Sequence, residues 1–283
     1  WVDGTDEKWL SQKRATLEKY GISHKSSDVS GRKRFTNNEE LKYSLRSIEK
    51  YCPWIQNVYL VTDRQKPNWI NNNKNNLKII DHKDIFNNKN HLPNFNSNAI
   101  EMRLSHINGL SENFLAFNDD FFIGRPTVKD DFFHEDGSPK LYIDRTVSKI
   151  KLRVRFQFPF IKKLNAHAYA LSNSRKLIFQ KYNLLINKNL FHSVKSLNKS
   201  VLHEIENIFS KGYSTTLQNQ FRDRSDIWIM ALHAYYLIAK QQSKFSHIQK
   251  IKKIDLLNKI YQYLNIQLDY GFINLQWEYQ KIK

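Results

Sequence analysis

The chain has 283 residues, 40% of them hydrophobic and 13% aromatic, with 45 Lys and Arg against 27 Asp and Glu for a formal charge of +18. That apolar content excludes a disordered chain and suffices for one large domain or two ordinary ones. No stretch of about 18 uncharged apolar residues is present to span a membrane, no secretory signal is visible, and the single cysteine, Cys52, excludes an internal disulfide and a Cys-based zinc site and suits a reducing compartment.

The charge is unevenly placed. Residues 1–150 carry 23 Lys and Arg against 20 Asp and Glu, whereas residues 151–283 carry 22 against 7. The second part is therefore expected to face anions. Nucleic acid is not expected as the partner, because zinc-finger spacing, an aromatic RNA-binding signature and a glycine-rich phosphate loop are all missing.

In chain order, Trp1-Val2-Asp3-Gly4-Thr5-Asp6 reads as the end of a strand entering a turn, with Thr5 or Asp6 capping a helix over residues 7–20. Asp3 before Gly4 suits a turn former. A polar stretch, Ser26–Arg34, precedes a helix whose apolar face is Leu41, Leu45 and Ile48, capped by Asn37 or Asn38 and stopped at Cys52-Pro53. Strands follow at Asn57–Asp63 and Leu77–His82, separated by a helix or loop. The Asp81-His82 pair suits a structural hydrogen bond.

Ile100, Leu104 and Ile107 then mark one helical face. Glu101 lies off that face, where it either closes a capping box with Asn98 or meets substrate, two roles that are compatible. The apolar run Phe114–Phe117 delivers Asn118, Asp119 and Asp120. Ligands of open α/β sheets gather at strand carboxyl ends, so an acidic pair there can converge on a cation or a hydroxyl. With a further strand at Leu141–Ile143, the rhythm predicts parallel βαβ units: an α/β fold with a Rossmann-like, mainly parallel sheet flanked by helices over 1–150.

Over 151–283 the chain is expected to be basic and mostly helical. Lys151–Phe156 alternates like a two-faced strand or an extended basic hairpin, and Asn165–Leu171 leads into a helix starting near Ser172. A helix over Ser200–Lys211 should stop at Gly212. Residues 227–238 are apolar nearly all round and predict a buried helix. Asp226 is expected to orient Arg222 and to cap that helix with Ser225. An amphipathic helix at Ile251–Leu264 and a strand-like Tyr270–Ile273 close the sequence.

Several of these stretches together resemble the Stealth family of bacterial sugar-1-phosphate transferases, related to the lysosomal-enzyme N-acetylglucosamine-1-phosphotransferase of animals. They are Trp1–Asp6, Arg34–Lys50, Val58–Asp63, Leu92-Pro93 with Phe95–Glu101, and Phe117–Phe121, with weaker matches at Ala166-His167 and Phe221–Tyr236. Ala168-Tyr169-Ala170 departs from the family's proline-containing sequence after the histidine. The resemblance implies transfer of hexose-1-phosphate, N-acetylglucosamine-1-phosphate by default, from a UDP-sugar donor to a hydroxyl of a growing capsular polysaccharide, with UMP released. It implies that 1–150 binds nucleotide and metal and that 151–283 completes the same catalytic unit.

By the same resemblance Asp119 and Asp120 hold Mg²⁺ or Mn²⁺, Glu101 walls the sugar, and His167 and Arg222 meet the reacting phosphate. Asp3, Gly4, Asn98 and Asn118 line the donor site, and Arg224 is a second anion-binding residue. These residue types suit phosphoryl transfer, which needs positioned charge more than covalent help, and an arginine fork matches phosphate oxygens as lysine does not. His167 serves either as base or as hydrogen-bond donor. The competing expectations are a metal-dependent glycosyltransferase that releases UDP and a basic non-catalytic module for acidic glycan or membrane. A cytoplasmic position at the inner face of the bacterial inner membrane, against anionic lipid, is the expected location.

Overall fold

A computed structural model describes residues 1–22, 31, 35–70, 76–157 and 164–240, together with the backbone of 245–246. The expected helix at 251–264, the strand at 270–273 and most of Ser26–Arg34 lie outside the described residues. In chain order the elements are α1 (Glu7–Lys19), α2 (Glu40–Tyr51), β1 (Val58–Thr62), β2 (Leu77–Asp81), α3 (His82–Ile85), α4 (Ser97–Met102), β3 (Asn113–Ala116) and β4 (Leu141–Thr146). They continue with α5 (Lys149–Gln157), α6 (Ala166–Tyr182), β5 (Lys188–Leu190), β6 (Lys195–Asn198), α7 (Lys199–Ile208), α8 (Ser210–Gln218), α9 (Ile229–Ala239) and β7 (Phe245–Ser246). No helix among the described residues is long and apolar enough to cross a membrane.

The fold is a mixture of helices and strands, but the strands are divided among small sheets. β1 and β2 pair in parallel, with Val58 opposite Leu77. β3 pairs antiparallel with β6, Asn113 opposite Asn198, and β4 lies between an antiparallel β5 and a parallel β7. Among the described residues the hydrogen bonds therefore do not build one mainly parallel sheet. The rhythm of strands and helices was legible locally, but a partner for β3 more than eighty residues away was not. Trp1–Asp3 is likewise not a strand; it runs beside β1, tied by Trp1 N donating to Val61 O at 2.8 Å.

The core is organised on α9, which is buried from Ile229 to Leu237 without a break. α4, α6 and α7 pack around it, with α8 against α4 and α7, so residues from both halves of the chain share one apolar cluster. A buried leucine such as Leu232, cut back to alanine, would cost about 2–5 kcal/mol. The polar group inside this helix, His233, accepts from Asn198 N at 3.1 Å and is pushed down to about 3 by burial, so it stays neutral.

Several local expectations are corrected. Residues 151–156 are helical, within α5. Lys, Arg and Leu are good helix formers, and the period-two alternation buries no face, because Leu152 is buried while Val154 remains 40% exposed. α6 begins earlier than Ser172, at Ala166, with the Asn165 side chain accepting from Ala168 N at 2.8 Å. Gly212 stops nothing and lies inside α8, where a Cβ would meet Leu177 Cδ1 at 3.3 Å. Asp6 caps α1 by accepting from Trp9 N, whereas α2 begins from Glu39 in the left-handed region at φ 65°, with no side-chain cap from Asn37 or Asn38. Gly4 is forced by crowding: a Cβ there would stand 1.9 Å from Phe35 O.

Candidate active site

A cleft of about 1430 Å³ opens between the two halves of the chain. Asp63 and His82 reach it from the ends of β1 and β2, and Glu101 comes from α4. His167 enters from the first turn of α6, Lys195 from the start of β6, and Arg222 from the loop before α9. The acidic turn Asn118–Asp120 closes another side.

That turn follows directly from β3. After Ala116 the backbone reverses, with Phe121 N donating to Asn118 O at 3.1 Å. Buried Phe121 and Ile123 anchor the far side, and Ile123 N donates to Ser47 Oγ of α2 at 3.0 Å. Asn118 and Asp119 remain exposed and Asp120 is half-buried. Burial pushes the Asp120 carboxyl up to about 6, and the negative charges of Asp119 and Glu40 push in the same direction. Two oxygen donors that repel one another fit a hard divalent cation, which would relieve the repulsion and keep several waters, since Mg²⁺ commonly binds through one or two carboxylates. Among the described residues, no third His, Cys, Asp or Glu joins Asp119 and Asp120 in a set whose donor atoms all lie within 4.8 Å.

The opposite wall is knitted from two loops far apart in sequence. Asp226, 0% exposed, accepts from Asn96 Nδ2 at 2.9 Å, Asn98 Nδ2 at 3.1 Å, Asn219 Nδ2 at 2.8 Å and Asp223 N at 3.0 Å. Phe95 and Phe221 stack beside it at 5.0 Å. A buried carboxylate needs such partners, because an unpaired one carries a large desolvation penalty. Asp226 thus fastens the start of α4 to the loop that carries Arg222, whose guanidinium donates to Ser97 Oγ at 2.6 and 3.2 Å. It does not cap α9, whose N-cap is Trp228. Nor is Asn98 the cap of α4; Asn96 takes that place, and no Asn98–Glu101 capping box forms.

Glu101 is turned instead toward Trp228, accepting from its Nε1 at 3.1 Å. Burial pushes Glu101 up to about 7 against the pull of Arg222, the Trp228 hydrogen bond and Lys195. Lys195 is pushed down to about 7 by burial, with Glu101 opposing, and its Nζ donates to Phe191 O and Ser193 O. His167 packs edge-on against Trp228, with ring centroids 4.7 Å apart. It is exposed to the open cleft, yet the surrounding walls and the charges of Arg222, His192 and Lys195 push its imidazole down to about 4. The cleft thus holds the acidic turn together with a guanidinium, an ammonium and a neutral imidazole, and Lys195 stands on the strand paired with β3, opposite Ala116.

Comparison with known proteins places the chain in a family. Residues 34–141 match Stealth protein CR2, conserved region 2, and residues 192–239 match Stealth protein CR3, conserved region 3. An exopolysaccharide phosphotransferase of Lactiplantibacillus plantarum is 34% identical over 263 residues, covering 85% of this chain and 74% of the relative. The chain belongs to the Stealth family.

An exopolysaccharide phosphotransferase of Streptomyces coelicolor is 37% identical over 237 residues, and a capsular polysaccharide phosphotransferase of Haemophilus influenzae is 33% identical over 248. The chain spans 38% of the first of these and 65% of the second. The acidic turn and Glu101 fall inside the first Stealth match, Arg222 and Trp228 fall inside the second, and His167 lies between the two.

Glu101, Asn118, Asp119, Asp120, His167 and Arg222 all line this cleft. Asn98 also lines it, with its side-chain amide committed to Asp226. Asp3, Gly4 and Arg224 are not among its lining residues. Asp3 accepts from Thr5 N and Oγ1 in a local turn, and Arg224 lies over the Tyr169 ring at 5.7 Å. His192, Lys195 and Trp228 were missed as site residues. The signal for Trp228 was its place in the stretch resembling Stealth proteins, and for Lys195 it was a lone cation at the start of the strand-like Lys195–Asn198. A lone cation of that kind does not stand out in a chain with 45 Lys and Arg.

Proposed function

We propose that this chain is the catalytic unit of a phosphotransferase of capsule or exopolysaccharide synthesis, moving hexose-1-phosphate from a UDP-sugar to a glycan hydroxyl. N-acetylglucosamine-1-phosphate is the first donor group to test. The names of the Haemophilus and Lactiplantibacillus relatives support the reaction class. The observation that carries the reading is one cleft whose lining gathers the paired carboxylates Asp119 and Asp120 with Arg222, Lys195 and His167. Phosphoryl transfer calls for this division, since the transferred group carries charge that must be both bridged and neutralised.

In the proposed step the acceptor hydroxyl attacks the phosphorus bonded to the sugar. A new P–O bond forms to the acceptor, the P–O bond to UMP breaks, and the sugar C1–O bond survives. His167, uncharged at neutral pH and open to the cleft, takes the hydroxyl proton. Arg222, set by Ser97, and Lys195 bind the non-bridging phosphate oxygens. Glu101 and the Trp228 indole present an acceptor and a flat apolar face to the sugar. Asp119 and Asp120 would hold Mg²⁺ or Mn²⁺, which when bound supplies positive charge toward the diphosphate.

The polymer gains negative charge as phosphodiesters accumulate, so the basic second half of the chain suits it as acceptor, and the same charge suits an anionic inner-membrane face in the cytoplasm. Incubation of the purified chain with UDP-sugars, Mg²⁺ and a glycan primer decides the reading. UMP release together with phosphodiester phosphorus in the product is expected. UDP release with a phosphorus-free product would instead identify a glycosyltransferase.

A further inference from the structure

We propose that His106, His203 and Glu206 form a second metal site, outside the cleft lining, for a borderline-soft divalent cation of the Zn²⁺ class. Among the described residues these three make up the set of His, Cys, Asp and Glu side chains whose donor atoms all lie within 4.8 Å of one another. His203 and Glu206 stand one turn apart on α7, a spacing that puts both on one helical face. His106 ends the 3₁₀ turn Leu104–His106 that follows α4. Its Nε2 lies 2.8 Å from Glu206 Oε2, His203 Nδ1 lies 3.9 Å from the same oxygen, and the two rings meet edge-on with centroids 4.9 Å apart.

Two imidazoles and one carboxylate are the donor set of three-ligand zinc sites that leave a fourth position to water. Nitrogen donors also discriminate against Mg²⁺, which prefers oxygen. The other carboxylate oxygen of Glu206 accepts from Arg103 Nη1 at 3.0 Å, and Arg103 Nε donates to Ile85 O at 2.8 Å. That buried arginine aims the carboxylate, the part an outer partner plays in a metal site. The side chains are 21%, 39% and 27% exposed for His106, His203 and Glu206, so an ion has a way in.

None of the three lines the cleft. Their place outside the cleft separates this ion from the transfer step, and bound there it would tie the segment just beyond Glu101 to α7.

The test uses the tag-free chain, stripped with EDTA and titrated with Zn²⁺ in excess Mg²⁺ by calorimetry, with Co²⁺ absorption reporting the coordination geometry. One Zn²⁺ per chain and tetrahedral Co²⁺ bands are expected, with binding retained in Asp120→Ala. Binding should weaken at least about 100-fold in His203→Ala, the upper end of what losing even an outer partner costs. His203→Ala retains a good helix former at a partly exposed position, and His106→Gln gives an independent second loss. Absence of Zn²⁺ binding would overturn the site, as would binding that survives both histidine changes or disappears only in Asp120→Ala.

Discussion

The two sides of the cleft are built in opposite ways. The Asn118–Asp120 turn hangs from a four-residue strand, with Asp119 exposed and Asp120 half-buried. The facing wall is locked: Asp226 is sealed from solvent and gathers three asparagine amides and a backbone N–H into one knot that places Arg222 and α4. The contrast separates groups that must stay accessible to chemistry from groups that pay for their burial by fixing position. Substitutions on the first side should remove activity from an intact fold, and substitutions in the knot should remove the fold along with the activity.

The sharpest way to break this contrast is Asp120→Ala. Loss of one of two carboxylates facing a cation forfeits several kcal/mol of charge stabilisation, so turnover should fall on the order of 10³-fold. Thermal unfolding should remain within a degree or two of wild type, and a large loss of Tm would show the turn to be structural after all.

Asp226→Ala should do the reverse. It strands buried donors without an acceptor, at a cost of about 3 kcal/mol or more in chemical denaturation. If that variant folds as stably as wild type, the knot is not what holds the wall.

Arg222→Lys probes the working edge of the locked wall. Charge is kept but the planar fork is lost, and a drop on the order of 100-fold in kcat with an unchanged denaturation midpoint is expected.

The smallest effect is on pH dependence. In the free protein Asp120 must lose its proton, near 6, and Lys195 must keep its own, near 7, so kcat/KM should rise with pH through about 6 and fall above about 7. On the proposed roles, a protonated Asp120 cannot serve a cation below the first value, and a neutral Lys195 cannot serve a phosphate above the second. Lys195→Met should lower the maximum and abolish the alkaline fall; a fall that persists assigns it to another group.

The same contrast explains what could be read from the sequence. The acidic turn was legible because its cause is local, an apolar strand running straight into three polar residues, and Phe114–Asp120 says so in seven letters. α9 was legible because a helix apolar on every side has nowhere to go but the interior. The knot was not legible in the same way. Its bonds span 130, 128 and 7 residues, and nothing around Asp226 announces which amides will come to it. The pairing of β3 with β6 and the lone Lys195 failed to register for the same reason, while residues 151–156 misled because alternation over six residues fits a short helix as well as a strand.

Gly4 carries a different lesson. It belongs to the opening motif, yet its surroundings are the carbonyl of Phe35 at a crossing of two chain segments, where even a methyl group has no room. Every missense change at that codon therefore adds atoms that the crossing cannot house. A deep mutational scan would score the position as intolerant as any substrate ligand, and purified survivors should show ordinary donor affinity in whatever fraction reaches the native state.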